Sequence, residues 1–335
     1  MEMRTLGRTG VQVSVACLGT MTFGWDPDDW GSTEEESLPI VDKAIELGVN
    51  FFDTADIYAR GVSESILGRA LRGRRDSVVV ATKCHFRMSD DDPNAYGNSQ
   101  RHILAACDAS LKRLQTDWID LYQIHRPQPS IPIDETLRAL DRLIQAGKIR
   151  YAGCSTFGAW QACEAHYVAK ALGAAGFMTE QPPYNLLDRR IERELLPFLR
   201  TYDYGVIPWS PLAGGMLSGK YHLGDKPKEG RYAKSDPSNR IGQAPTSILK
   251  RLAKVATRKG MTLAQMSLAW VCSQPGISSA IIGARSLTQL EDSVASCQVQ
   301  LDEGTLKAID AIVPPQSHHV RYYEANFGPN ARPNV

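Results

Sequence analysis

The sequence predicts an α/β fold, a parallel (β/α)8 barrel, and three observations carry that expectation. Short apolar runs of strand length recur eight times along the 335 residues. Segments with helical periodicity lie between them. The strand-to-strand intervals, about thirty residues each, suit βα units whose right-handed crossovers build parallel sheets. Eight such units favour a closed barrel over an open doubly wound sheet.

Taken in order, the chain first places apolar residues on both sides of Gly7-Arg8-Thr9-Gly10, so residues 3–13 read as a β-hairpin ahead of the barrel. The expected strands are residues 13–18, 49–52, 78–82, 119–124, 151–154, 177–180, 205–209 and 279–282. Ile40, Val41, Ala44, Ile45 and Leu47 show the i, i+3, i+4 spacing of a helix. Helix starts carry caps, with Ser32 or Thr33 before three glutamates and Asp134 before Glu135. Helix stops carry glycine, at Gly48 and Gly147. From Gly214 to Pro245 the chain is rich in Gly, Lys, Pro, Asp and Ser without periodicity, so a long loop follows strand seven. After Pro314, aromatics (Tyr322, Tyr323, Phe327) mix with prolines and read as a tail across a barrel mouth. Residues 1–335 read as one domain, its core about 5–313 and its tail 314–335.

Composition narrows the function classes. A hydrophobic fraction of 43% with 22% charged residues supports a large core, and a net charge of +1 argues against a nucleic-acid or acidic-membrane surface. The N-terminus lacks the apolar segment of a signal peptide, and no run approaches membrane-spanning length. Seven scattered cysteines without a CxxC pair read as buried thiols of a reduced, cytoplasmic protein. Neither they nor the seven histidines show metal-ligand spacing, so no metal is expected. The sequence leaves oligomeric state open, a homo-oligomer included.

The chemistry-bearing residues stand at strand ends. Asp53 and Tyr58 follow strand two, Lys83 strand three and His125 strand four. In a parallel barrel these ends form the catalytic face. A free tyrosine titrates near ~10, and an adjacent ammonium favours its phenolate. A carboxylate beside the lysine holds it charged, and an imidazole can hydrogen-bond a carbonyl oxygen beside the phenol. Singly, each has a plainer reading: a solvated Lys, a turn-capping Asp, a structural His. Their joint placement on three consecutive strand ends favours a proton donor for carbonyl reduction.

Two long stretches also resemble the signatures of the aldo-keto reductases. One is Asp53-Thr54-Ala55-Asp56-Ile57-Tyr58 with Ser63-Glu64-Ser65-Ile66-Leu67-Gly68; the other runs from Leu111 through Asp120-Leu121 to His125-Arg126-Pro127. The resemblance extends over about residues 5–313. It implies an (α/β)8 barrel using a nicotinamide cofactor without a Rossmann domain, and no GxGxxG turn follows the early strands. It implies a catalytic tetrad of Asp53, Tyr58, Lys83 and His125. Tyr58 is then the general acid in reduction, Lys83 favours its ionisation, Asp53 anchors Lys83, and His125 orients the carbonyl.

The resemblance also implies cofactor contacts. They comprise Gly19, Thr20 and Met21 after strand one, Asp53, then Ser155, Thr156 and Gln181 for the carboxamide. Thr156 stands where the family usually has asparagine, and lacks an amide's paired donor and acceptor. Trp209 takes the place of the ring that stacks on nicotinamide. Ser210, Pro211, Leu212, Gly214 and Lys220 belong to a segment resembling the pyrophosphate wrap. After strand eight come Gly283, Arg285, Gln289 and Asp292, beside a helix start at Ser286. Arg285 is suited to a ribose 2′-phosphate, which favours NADPH and leaves NADH open. Substrate candidates are Trp25, Trp30, His85, Phe86, Arg126, Tyr184, Tyr322, Tyr323 and Phe327, suiting an apolar or sugar-like carbonyl compound. The functional expectation is NADPH-dependent reduction of an aldehyde or ketone. A slow cofactor-binding regulatory subunit, like the potassium-channel β-subunits, or a sugar or alcohol dehydrogenase are the alternatives.

Overall fold

The structure, a computed structural model, describes residues 1–25, 31–220 and 245–323. Its centre is an eight-stranded parallel sheet. The strands are β3 (Ala16–Gly19), β4 (Phe51–Asp53), β5 (Val79–Cys84), β6 (Ile119–Ile124), β7 (Ile149–Ser155), β8 (Phe177–Gln181), β9 (Gly205–Val206) and β10 (Ala280–Ile282). They are ordered β10-β3-β4-β5-β6-β7-β8-β9. The two ends of that order meet: Ser278 donates to the Val206 carbonyl and Ile281 to the Pro208 carbonyl, each at 2.9 Å. The sheet therefore curls round on itself as the expected (β/α)8 barrel.

The hairpin ahead of it is β1 (Met3–Thr5) paired antiparallel with β2 (Gln12–Ser14). This corrects the expected strand over 13–18, whose first part belongs to the hairpin. At Ser14 the ladder is diverted, because its N–H donates to Asn50 Oδ1 and its hydroxyl to the Ala16 carbonyl. The barrel ladder begins at Ala16.

Local chemistry accounts for most helix boundaries. Helix α1 (Glu34–Glu46) starts at Thr33, whose hydroxyl and the Glu36 carboxylate form a reciprocal capping box. It ends before Gly48, which adopts φ +84°. Asp134, expected as a cap, lies instead in the first turn of the helix Ile133–Gln145, which Pro132 precedes. There its charge still favours the helix N-terminus.

Two apolar clusters divide the core. The larger fills the shell between strands and helices. The smaller lies inside the barrel, built from Cys17, Phe51, Ala81, Leu121 and Ile207, and plugged from below by Leu6 and Val13 of the hairpin. Strand residues alternate between these faces. Two positions beyond Phe51, Ala81 and Leu121 stand Asp53, Lys83 and Gln123, so the apolar layer inside the barrel is roofed by a polar one.

Candidate active site

The polar layer follows from strand register. Asp53 pairs with Ala81 across β4 and β5, and Lys83 with Gln123 across β5 and β6. Lys83 is wholly buried. Its ammonium has three N–H donors and meets three acceptors: Asp53 Oδ1 at 2.6 Å, the Thr54 carbonyl at 2.8 Å and Tyr58 Oη at 3.3 Å. Burial alone pulls the lysine down, but the Asp53 carboxylate and the Tyr58 oxygen outweigh it and hold its pKa above the ordinary value. Asp53 Oδ2 accepts from the amides of Gln181 at 2.9 Å and Gln123 at 3.3 Å. The buried pair is thus bonded at both of its charged ends, the condition under which a buried ion pair is tolerated.

Tyr58 is half-buried where the chain turns from β4 toward the helix Val62–Ala70. The two residues after it, Ala59 (φ +47°) and Arg60 (φ +51°), are left-handed. That conformation is uncommon for residues with a Cβ and stores strain beside the phenol. The His125 ring meets the Tyr58 ring edge-on at 5.8 Å and the Phe86 ring at 4.9 Å. Burial first, then the neighbouring Arg126, Lys83 and His85, push the imidazole well below its ordinary pKa. His125 is therefore a neutral hydrogen-bonding group at neutral pH.

These side chains face a cavity of about 790 Å³ at the C-terminal ends of the strands. That volume falls within the range of small-molecule and cofactor sites. Asp53, Tyr58 and His125 line it, while Lys83 lies beneath them. Gly19 and Met21 line it after β3, and Ser155 and Gln181 after β7 and β8. Trp209, Ser210, Pro211, Leu212, Gly214 and Lys220 form its wall after β9; Gly283, Arg285 and Gln289 do so after β10. Among the substrate candidates, Trp25, Phe86, Arg126 and Tyr322 line it as well.

Six expected residues lie elsewhere among the described residues. The Thr20 hydroxyl is buried against Ser63 Oγ at 2.8 Å. Thr156 (φ +61°) accepts a hydrogen bond from Trp209 Nε1 at 3.3 Å and bonds Ser155 Oγ, so its hydroxyl serves the wall. Asp292 points out of the barrel and accepts from Gln265 at 2.6 Å, whereas Ser293 beside it lines the cavity. On a helix Ser293 shares a face with Gln289, four residues before it. The expectation for Tyr184 is also corrected: it is buried against Trp270, and its hydroxyl donates to Glu192 at 2.7 Å. Tyr323 is partly buried, its ring under the Arg190 guanidinium. His85 is held at Asn98 behind the cavity wall. Trp30 and Phe327 lie outside the described residues.

The sequence reading missed Gln123. Its position two residues before His125 on one strand was the available signal, since that spacing shares a face. It also missed Glu180, beside Gln181 but on the opposite face of β8. Its Oε1 accepts from the Phe157 amide at 3.1 Å, under the turn that carries Ser155 and Thr156.

The wall suits a dinucleotide. Gly214 (φ +64°) and Gly215 (φ +102°) hold backbone angles that favour glycine. A Cβ on Gly283 would meet no atom within 4 Å, as expected where the backbone borders an open cavity. Ser286 caps a ten-residue helix, Leu287–Ser296, whose first amides begin next to Arg285.

The comparisons agree with this architecture. Residues 16–314 match the model of the Aldo/keto reductase family. The chain belongs to that family and is an oxidoreductase of it, a family typically dependent on NAD(P)H. It is 38% identical to the uncharacterized oxidoreductase YrpG of Bacillus subtilis, covering 94% of this chain and 96% of that protein. It is 36% identical to a probable voltage-gated potassium channel subunit beta of Oryza sativa, covering 96% of this chain and 100% of the other. A versiconal hemiacetal acetate reductase of Aspergillus parasiticus is 34% identical, with 95% and 99% covered.

Proposed function

We propose that the protein, working as a single barrel domain, reduces an aldehyde or ketone to an alcohol with NADPH, and that Tyr58 supplies the proton. The observation that carries this reading is the Lys83 ammonium bonded at once to Asp53 and to the Tyr58 oxygen under the cavity. Bound NADPH supplies the hydride. The protein's own groups do the rest. Tyr58 donates its proton to the carbonyl oxygen as negative charge develops there, and the phenolate left behind is stabilised by the ammonium already aimed at it. Asp53 fixes that ammonium, with Gln123 and Gln181 holding the carboxylate in turn. Neutral His125 donates to the same carbonyl oxygen and orients it without adding a charge to the site. Ser155 and Gln181 would hold the cofactor's carboxamide, with Trp209, steadied by Thr156, as the aromatic wall beside it. The glycines at 214 and 283 and Lys220 would admit the phosphates, and Arg285 would take the 2′-phosphate.

The decay of NADPH absorbance with an activated aromatic aldehyde tests the proton donor. Tyr58→Phe should lose about a hundredfold or more of wild-type turnover, the scale of a general acid. Full activity in that variant sinks the assignment. For the cofactor, Arg285→Ala should raise KM for NADPH far more than for NADH, and equal effects would remove the 2′-phosphate role.

A second reading is favoured by the relatives described as potassium channel β subunits. It is a cofactor-retaining regulatory subunit. Tight NADPH binding with no turnover across a panel of carbonyl compounds would put it first.

A further inference from the structure

The chain beyond its last helix, Glu303–Asp310, is fastened to the barrel from outside, and the fastening ends on the proposed cofactor wall. Three guanidinium groups from the loop after β8 grip its carbonyls. Arg189 donates to Val313 at 2.7 Å, Arg193 to Gln316 at 2.9 Å and Arg190 to Val320 at 2.7 Å. Backbone bonds add to that grip. The Arg189 amide donates to the Ser317 carbonyl at 2.8 Å, and the His319 amide to the Leu187 carbonyl at 2.7 Å. Val320 is wholly buried, and just beyond it Tyr322 reaches the cavity.

Tyr322 touches both Trp209 and Ser210, neighbours in the wall proposed for the cofactor. Its ring meets the Trp209 ring edge-on, at 5.0 Å between centroids and 88° between planes. Its hydroxyl meets Ser210 Oγ at 2.8 Å. Ser210 in turn organises the glycine turn beside it. Its Oγ accepts from the Gly214 amide at 3.0 Å, and its carbonyl accepts from Asn185 Nδ2 at 3.1 Å. Ser210 (φ +57°) and Ala213 (φ +51°) are left-handed although neither is glycine. Backbone held in that region persists only where its surroundings impose it.

We propose that Tyr322 is a positioning residue for the cofactor. From the anchored tail it holds Trp209 and the turn from Ser210 to Gly215 in the shape that receives the dinucleotide. The seat of the tail thereby sets how tightly the cofactor is retained. The inference rests on the dinucleotide part of the proposed function and not on turnover. A turn already held in its strained shape need not be ordered when the cofactor arrives, and such pre-organisation raises affinity without adding a contact. Once the Tyr322 hydroxyl is removed, the turn is free to relax, and binding has to order it again.

The probe is NADPH titrated into the full-length protein without substrate, followed by fluorescence of the reduced nicotinamide. Tyr322→Phe keeps the ring and removes the hydroxyl. It should raise Kd for NADPH about fivefold, the scale of one ordinary hydrogen bond. Tyr322→Leu also loses the contact with Trp209 and should raise Kd about tenfold or more. A double-mutant cycle separates positioning from general loosening. Ser210→Ala removes the partner of the hydroxyl, so in that background Tyr322→Phe should change Kd by less than about twofold. A purely structural role would lower the urea midpoint of the cofactor-free protein and leave no such coupling. An unchanged Kd in Tyr322→Phe, or the same fold-change with and without the Ser210 hydroxyl, overturns the proposal. Wild type that binds neither NADPH nor NADH takes down the cofactor reading and this inference with it. Wild type that binds NADPH without coupling between Tyr322 and Ser210 leaves the cofactor reading standing and removes this inference alone.

Discussion

Asp53 and Glu180 are both carboxylates buried in one barrel wall, and their surroundings are opposite. Asp53 points inward from β4 to the lysine ammonium and two side-chain amides. Glu180 sits on the outward face of β8. It has one backbone N–H, from Phe157, on one oxygen, and no hydrogen-bond partner among the described residues on the other. Burial pushes the Glu180 carboxyl up to about 8, against the pull of nearby backbone amides. Near neutral pH a carboxyl with that value is mostly protonated, and it props the Ser155-Thr156 turn as a neutral group. The contrast lies in the partners: both oxygens of Asp53 are matched by donors, whereas Glu180 has one backbone N–H and is tolerated by losing its charge.

Breaking the matched pair should have the largest effect. Lys83→Met leaves Asp53 buried without its counter-ion and should cost about 3–5 kcal/mol in urea unfolding. Adding Asp53→Asn to Lys83→Met should recover part of that loss, because it removes the stranded charge. A single variant as stable as wild type would show that the pair contributes nothing and would erase the contrast with Glu180.

The smaller effect lies at Glu180 and is read in its pH dependence. The folded carboxyl holds its proton to about 8, whereas the unfolded chain releases it near 4.5. Between those values the folded state binds more protons, so this group makes stability fall as pH rises through the window. Glu180→Gln, which keeps the shape and removes the titration, should flatten that part of the profile. The comparison is of urea midpoints at about pH 5 and about pH 8. An unchanged slope would mean that Glu180 is ionised in the folded protein and that the two carboxylates are treated alike.

Much of this arrangement was legible before any coordinates. Short apolar runs and glycine stops marked the units, and Asp53, Lys83 and His125 announced themselves as polar residues closing such runs. Asp134 was misread because the helix start is set by Pro132, two residues earlier, and local composition does not separate the two. The run over 13–18 was misread because a hairpin strand and a barrel strand are equally apolar; only the diversion of the Ser14 hydrogen bonds tells them apart. Tyr184 resembled a cavity residue because loop position does not specify direction.

The sequence by itself determined the barrel, its hairpin and the strand ends that carry the proposed chemistry, because strand and helix periods and turn residues act over a few neighbours along the chain. Tertiary structure alone decided that Gln123 and Gln181 brace Asp53, and that Thr156 accepts from Trp209. It also decided that Arg126 lies between Phe86 and Trp209. Those contacts join residues as far as 128 positions apart. Their existence depends on how eight strands close around a shared interior, a long-range condition that no local pattern encodes.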